Sequence, residues 1–336
     1  MGCLEEAGIT GRETGLLELK NIEGETFHYQ MDREILRELG GYSNQQEQTK
    51  EGFGFKWKRR DSYESLSMKN TVREWLLEKY FGGSEKEIKK IIPDHCRFLD
   101  AGCGARLSVL SMLGERLNQI QYLGADISTA VDVAKERFKE QGVKGEFIQA
   151  DLRHLPFDHP VFDVIFSEGV LHHTDSTKEA VQHLSKLLRP NGRFMFYVYA
   201  KKAVIREFCD DYIREYLKDK TDEQAWEELM PLTLLGKALG DLDIEVEIPQ
   251  DITYLGIKKG RVNLQRLFYW NIFKAFYKPD FSLEEMNHIN FDWYRPLNCH
   301  RHTPYEVEQW CAQAGLEIER LHVEEAGITV IAVKNS

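Results

Sequence analysis

Between residues 97 and 199 the chain alternates short apolar runs with stretches of helical periodicity. Strands are predicted over residues 98–100, 122–126, 146–149, 164–167 and 193–199, with helices between most of them. One helix is marked at both ends: Ser176 is placed to cap it, Glu179 to complete a capping box, and Pro190-Asn191-Gly192 to end it. Its apolar face carries Ala180, Leu184, Leu187 and Leu188. Strands alternating with helices imply an α/β, doubly wound, mostly parallel sheet covered on both faces.

The flanks read differently. Residues 1–62 form an N-terminal extension, polar and glycine-rich, with strand-like pieces at 16–19 and 27–31. A helix follows with Val72, Trp75, Leu76 and Tyr80 on one face. Residues 63–200 hold the core, and 201–302 are mainly helical by pattern. Within that stretch residues 241–249 alternate acidic and apolar positions, as a half-buried strand does. The α/β pattern resumes over 303–336, where Thr303, Pro304 and Glu306 are spaced as N-cap, N1 and N3 of a helix. Strands at 316–323 and 328–333 close the chain. The middle segment is therefore an insertion into one fold.

Four segments of the core carry candidate chemistry. In Phe98-Leu99-Asp100-Ala101-Gly102-Cys103-Gly104 an apolar strand ends in an acid, and two alternating glycines precede a helix. Such glycines let a backbone approach a ligand closely at a helix N-terminus. A dinucleotide fingerprint has a third glycine and favours pyrophosphate. Asp100 repels pyrophosphate and suits a ligand with a cationic amino acid end, such as S-adenosylmethionine (SAM). Asp126 ends the second strand, where an acid can bind both ribose hydroxyls. Asp151 follows the third and can accept from an adenine amino group. The fourth segment, 162–173, is a strand that runs into a polar turn with Glu168, His172 and His173.

In this order and spacing, the four segments resemble the class I, Rossmann-like family of SAM-dependent methyltransferases. The nearest branch is the small-molecule, type 11-like one, typified by ubiquinone, menaquinone and sterol methyltransferases. The resemblance is strong from Arg97 to Tyr199 and implies a seven-stranded sheet with SAM as cofactor. By it, Asp100, Gly102 and Gly104 line the amino acid end of SAM, and Asp126 takes the ribose. Ile127 and Leu152 pack the adenine, and Asp151 holds its amino group. Many relatives have a third small residue in the glycine loop; here Ala105-Arg106-Leu107 follows Gly104, so either Arg106 replaces a glycine or one residue is missing. The flanking segments 53–57, 291–294 and 300–304 resemble parts of bacterial methyltransferases of mostly unassigned substrate, and no residue role carries over from them.

Other candidates come from position along the chain. His173, and secondarily His172, ends the fourth strand on the ligand edge and is a candidate base; the alternative is a spacer in a common family turn. Glu168 either orients the SAM methionine end or caps its turn. Tyr294, Arg295, His300 and Arg301 lead into the helix at Pro304 and are candidate acceptor contacts, with the insertion as a cap over that site. The aromatic run from Phe268 to Tyr294 either walls an apolar pocket or forms the insertion's own core. Trp57 and Arg59 belong either to a lid over SAM or to a packed N-terminal segment.

Charge narrows the acceptor. With 55 acidic against 44 basic residues the net charge is −11, which disfavours a nucleic acid partner. The run Lys56 to Arg60 is a local exception. The six cysteines form no C-x-x-C pair, so no metal site is implied, and their scatter fits reduced thiols in a cytoplasmic protein. No apolar run reaches the roughly 20 residues of a membrane helix, and no signal-peptide pattern opens the chain. The expected function is methyl transfer from SAM to a small-molecule or lipid-like acceptor. The alternatives are a tRNA-modifying methyltransferase and a non-catalytic SAM-fold binding protein.

Overall fold

The computed structural model describes residues 2–10 and 15–335. Three N-terminal strands, β1 (Leu16–Lys20), β2 (Thr26–Asp32) and β3 (Ile35–Glu38), form an antiparallel meander. The five apolar runs of the core become β4 (Arg97–Ala101), β5 (Gln121–Asp126), β6 (Glu146–Gln149), β7 (Phe162–Glu168) and β8 (Leu188–Tyr199). The insertion holds a separate hairpin, β9 (Glu245–Ile248) with β10 (Gly260–Asn263), and the chain ends in β11 (Leu316–Val323) and β12 (Gly327–Lys334).

The main sheet runs β1-β2-β3-β6-β5-β4-β7-β8-β12-β11, parallel from β3 to β8 and antiparallel at both ends. The expected seven-stranded sheet is present from β6 to β11. It is widened to ten strands because β3 pairs in parallel with β6 through Leu36 and Ile148. The sequence hid β3. Its two-residue turn, Arg33-Glu34, takes φ of 48° and 59° without the Asn or Gly that normally marks such a turn. Phe98 and Leu99 of β4 point to opposite faces, and both are fully buried in separate apolar clusters. That is why parallel strands read as continuous apolar runs.

Strand order reverses at β4, so the chain leaving β4 and β7 opens a crevice at their C-terminal ends. The insertion leaves and rejoins the sheet at one point on that edge. His302 N donates to Tyr199 O at 2.8 Å and Lys201 N to His302 O at 3.0 Å. Between these bonds lie the helices Val204–Leu217, Asp222–Asp241, Leu264–Asn271 and Leu283–Tyr294. Asp241 closes the second of these helices, so the acidic strand is shorter than its alternation suggests.

Two local expectations are revised. Ser176 caps its helix, but no capping box closes; Glu179 lies 3.7 Å from Arg153. In the helix Leu66–Phe81, Leu76 and Tyr80 are buried, whereas Trp75 is exposed. The box at Thr303 and Glu306 is complete.

Polar groups inside the insertion are tied to one acid. Asp210, fully buried, accepts from Arg206 Nε at 2.6 Å, Trp293 Nε1 at 2.7 Å and Tyr294 OH at 2.8 Å. It thereby joins Val204–Leu217 to Leu283–Tyr294. Asp210→Ala strands a buried guanidinium and is expected to cost about 3–5 kcal/mol, read from urea unfolding; a loss under about 1 kcal/mol would contradict it.

Buried imidazoles make the fold acid-sensitive. Burial lowers the pKa of His172 and His288 well below 6.5, and that of His173 and His302 to about 4. Unfolded imidazoles take up protons near 6.5, so their stabilising contribution is complete above that pH and is lost as pH falls toward 4. Asp100, pushed up to about 6 by burial, opposes this together with Asp126 and Glu146, raised by burial, and His154, raised by Glu38, whereas the lowered carboxyls of Asp151 and Asp292 add to it. Thermal melts from neutral pH down to about 4.5 are expected to show a falling Tm; a constant or rising one would contradict the sign.

Candidate functional site

The glycine loop leaves β4 in a conformation that favours glycine. Gly102 and Gly104 have φ of 85° and 49°. A Cβ on Gly102 would lie 2.2 Å from Val170, and one on Gly104 would lie 2.9 Å from Trp57 Nε1. The loop is latched to β5 by Asp126, which accepts from Gly104 N at 2.7 Å, Ser128 N at 2.8 Å and Ser128 Oγ at 2.7 Å. Burial raises the Asp126 pKa, and these bonds oppose the rise.

Asp151 begins the next turn. Burial alone would raise its pKa, but Arg153 grips both oxygens, at 3.2 and 3.1 Å, and holds it below the usual carboxylate range. Its backbone N–H donates to Glu38 Oε2 at 3.0 Å, so the end of β3 fixes this turn. Nothing in the sequence pointed to Glu38, because the pairing of β3 with β6 alone brings it there. Glu168 ends β7 and binds Lys79 Nζ at 2.7 Å and Tyr80 OH at 2.6 Å.

A cavity of about 790 Å³ collects most of these residues. Gly102, Gly104, Asp126, Ile127, Asp151, Leu152 and Glu168 all line it. Asp100 does not: its carboxylate turns under the loop and accepts from Tyr122 OH at 2.6 Å. Arg106 also turns inward. It takes a φ of 67° without being glycine, and its guanidinium lies 3.8 Å from the Tyr122 ring centre, with none of its nitrogens hydrogen-bonded among the described residues. The loop departure is thus absorbed by the core, away from the cavity.

The two adjacent histidines separate. His172 stacks on Tyr199 with ring centres 3.6 Å apart, is fully buried and does not line the cavity. His173 does line it. Its Nδ1 is 2.6 Å from Asn298 O. A carbonyl only accepts, so Nδ1 carries the proton and Nε2 keeps a lone pair. Nε2 has no partner among the described residues. With its pKa lowered to about 4 by burial, this imidazole is neutral at physiological pH.

The expected acceptor contacts lie elsewhere. Tyr294 OH is bound to Asp210. Arg295 is held by Asp222 at 2.6 Å, and His300 Nε2 is 3.0 Å from Thr174 O. Arg301 is bonded to Glu207 and Asp211, both at 2.8 Å. None of the four lines the cavity. Acids and carbonyls around these groups, which sequence spacing does not reveal, draw them into the insertion's own framework.

Instead, the far wall is built by Lys202, Tyr269, Trp270, Lys274, Phe276 and Trp293, while Phe53, Lys56 and Trp57 of the helix Asn44–Lys58 line the side. Lys56 is paired with Asp292, whose other oxygen accepts from Tyr199 OH at 3.2 Å. Burial would raise the Asp292 pKa, yet Lys56 holds it well below the carboxylate range. Among the described residues no group of three acids, histidines or cysteines is placed to hold a metal, and no helix is long and apolar enough to cross a membrane.

Comparison with known proteins places this geometry. Residues 99–196 match the family model described as a methyltransferase domain. An uncharacterized methyltransferase from Bacillus subtilis is 35% identical over 28% of this chain and 39% of its own length. A ubiquinone biosynthesis O-methyltransferase from Rickettsia conorii is 27% identical over 53% of this chain and 59% of its own. A tRNA U34 carboxymethyltransferase from Hydrogenovibrio crunogenus is 30% identical over 30% and 31%. The chain thus spans less than two thirds of each of these relatives. The matched stretch runs from β4 to β8 and contains the glycine loop, Asp126, Asp151 and Glu168. Over residues 99–196 the chain therefore carries a methyltransferase domain.

Proposed function

We propose that the protein transfers the methyl group of SAM to a small-molecule or lipid-like acceptor enclosed between the sheet edge and the insertion. The observation that carries this reading is the single cavity, lined by the SAM-motif residues on one side and by insertion aromatics on the other. The residues fit SAM: the Gly102–Gly104 turn is a cradle that any Cβ would fill, and the acids facing it suit hydroxyl and amino donors. Asp126 takes the ribose hydroxyls. Ile127 and Leu152 pack on the adenine, and Asp151 accepts from its amino group. Glu168 faces the amino acid end.

SAM supplies an activated methyl on a sulfonium. The protein's part is to hold the acceptor aligned in a dry pocket. His173 is the group placed to take a proton at Nε2 from an acceptor hydroxyl or amine. Asp100 acts one layer behind, through Tyr122. Trp57, Tyr269 and Trp293 keep water from the space between them.

A tRNA acceptor is the reading suggested by the name of one relative, and the charges speak against it. In the basic run, Lys56 is paired with Asp292, Arg59 lies 3.6 Å from Glu284, and Arg60 is bound by Glu64 and Glu140. A second basic run, Lys258 to Arg261, is matched at both ends, with Lys258 at 3.5 Å from Asp251 and Arg261 at 3.1 Å from Glu245. Paired cations release few counterions on binding a phosphate backbone.

Two measurements test the proposal. Calorimetry is expected to show SAM binding that Asp126→Ala weakens by roughly 5- to 150-fold, the equivalent of about 1–3 kcal/mol; unchanged affinity would refute the ribose assignment. With labelled SAM, the protein is expected to methylate a small-molecule or lipid extract in preference to total tRNA. Salt-sensitive labelling of RNA alone would establish the nucleic acid alternative, and SAM binding without transfer to either pool would favour a non-catalytic role.

A further inference from the structure

Charges of both signs line the cavity, with Lys79 paired to Glu168 at the sheet edge and Lys56 to Asp292 of the insertion. Further cations gather around one indole at the insertion end. Lys274 Nζ lies 4.9 Å from the centre of the Trp293 ring, Arg206 5.1 Å and Lys202 Nζ 5.6 Å. Arg206 is neutralised by Asp210 at 2.6 Å. The two lysines are not neutralised: among the described residues no carboxylate oxygen lies within 4.0 Å of either ammonium. The neighbouring acids are already engaged, Asp292 by Lys56 and Glu207 by Arg301.

Their hydrogen bonds are incomplete as well. Lys202 donates to the carbonyls of Glu325 and Ala326, leaving one of its three donors. Lys274 is anchored through its backbone N–H, which donates to Tyr294 OH at 2.8 Å, yet its ammonium has no hydrogen bond among the described residues. Both side chains line the cavity, and Lys274 is only 7% exposed. Since both ammoniums approach the same ring, they are at most about 10.5 Å apart. Burial, reinforced by Arg206, pushes Lys202 down to about 7; burial pushes Lys274 down to about 8.

A buried ammonium without a counter-ion, as at Lys274, burdens a fold unless a ligand completes it, and half-buried Lys202 adds a second unpaired charge beside it. Around them stand Tyr269, Trp270 and Trp293, a surface suited to a flat apolar body. We propose that the methyl acceptor is an acidic small molecule, a carboxylate or phosphate monoester on a planar apolar body, with its anionic group held between Lys202 and Lys274. The inference rests on the methyl-transfer reading above. The two lysines are positioning residues: they orient the acceptor and leave its nucleophile turned toward His173.

The test is calorimetry on the full chain saturated with S-adenosylhomocysteine, using 2-naphthoate, 2-naphthyl phosphate and the neutral 2-naphthamide as probes. At least one anion is expected to bind about tenfold more tightly than the amide; which anion wins distinguishes carboxylate from phosphate. Lys202→Met and Lys274→Met are each expected to shrink that preference below about threefold with SAM affinity unchanged, while Lys274→Arg retains it. Because the methionine variants remove buried charge and keep the stem, they are expected to fold at least as well as the parent. Equal binding of the three probes, binding of none, a preference that survives both methionine variants, or loss of SAM affinity in them would overturn the proposal. Failure of the parent chain to bind SAM would instead refute the methyltransferase reading on which it rests.

Discussion

The far wall of the cavity depends on one buried carboxylate. Asp210 gathers a guanidinium, an indole N–H and a phenol hydroxyl, and so welds two helices of the insertion together. Trp293 is thereby locked with its ring facing the cavity, and the Tyr294 hydroxyl, fixed by the same acid, receives the backbone N–H of Lys274. A charge so deep is costly unless every lone pair is used. Here it is used to hold an added segment in one orientation over a sheet edge to which backbone bonds at His300 and His302 tie it.

The sheet edge has its own keystone of the same kind. Asp126 stands at the end of β5 and bonds both the glycine loop and the start of the following turn. The acid expected to touch a ribose is thus also the acid that shapes the turn below it. Glu38 plays the matching part at Asp151, reaching across from 113 residues earlier in the chain. The N-terminal strands therefore do more than widen the sheet: they hold one of the ligand-facing turns.

Several charges that line the cavity are paired within it, Lys79 with Glu168 and Lys56 with Asp292, but Lys202 and Lys274 have no carboxylate partner among the described residues. The formal net charge of −11 gave no hint of this. It sums over a surface whose basic runs are mostly paired, while Lys202 and Lys274, which face the cavity without an acid, are invisible in the total.

The sequence by itself determined the central sheet and its mostly parallel sense, its seven strands by family resemblance, and singled out the glycine loop, Asp126 and Asp151. These are local signals: apolar runs, an acid at a strand end and glycines at fixed spacing all act within a few residues of themselves. Three things were decided only by tertiary structure. The pairing of β3 with β6 required a turn without turn residues. The separation of His172 from His173 depended on which ring met Tyr199 and which met the carbonyl of Asn298. The proposed acceptor wall moved from Tyr294, Arg295, His300 and Arg301 to Lys202, Lys274 and Trp293, because distant acids and, at His300, the carbonyl of Thr174 captured the first set. A long side chain goes where its counter-charge is, and the position of that counter-charge is a property of the fold, which no spacing along the chain encodes.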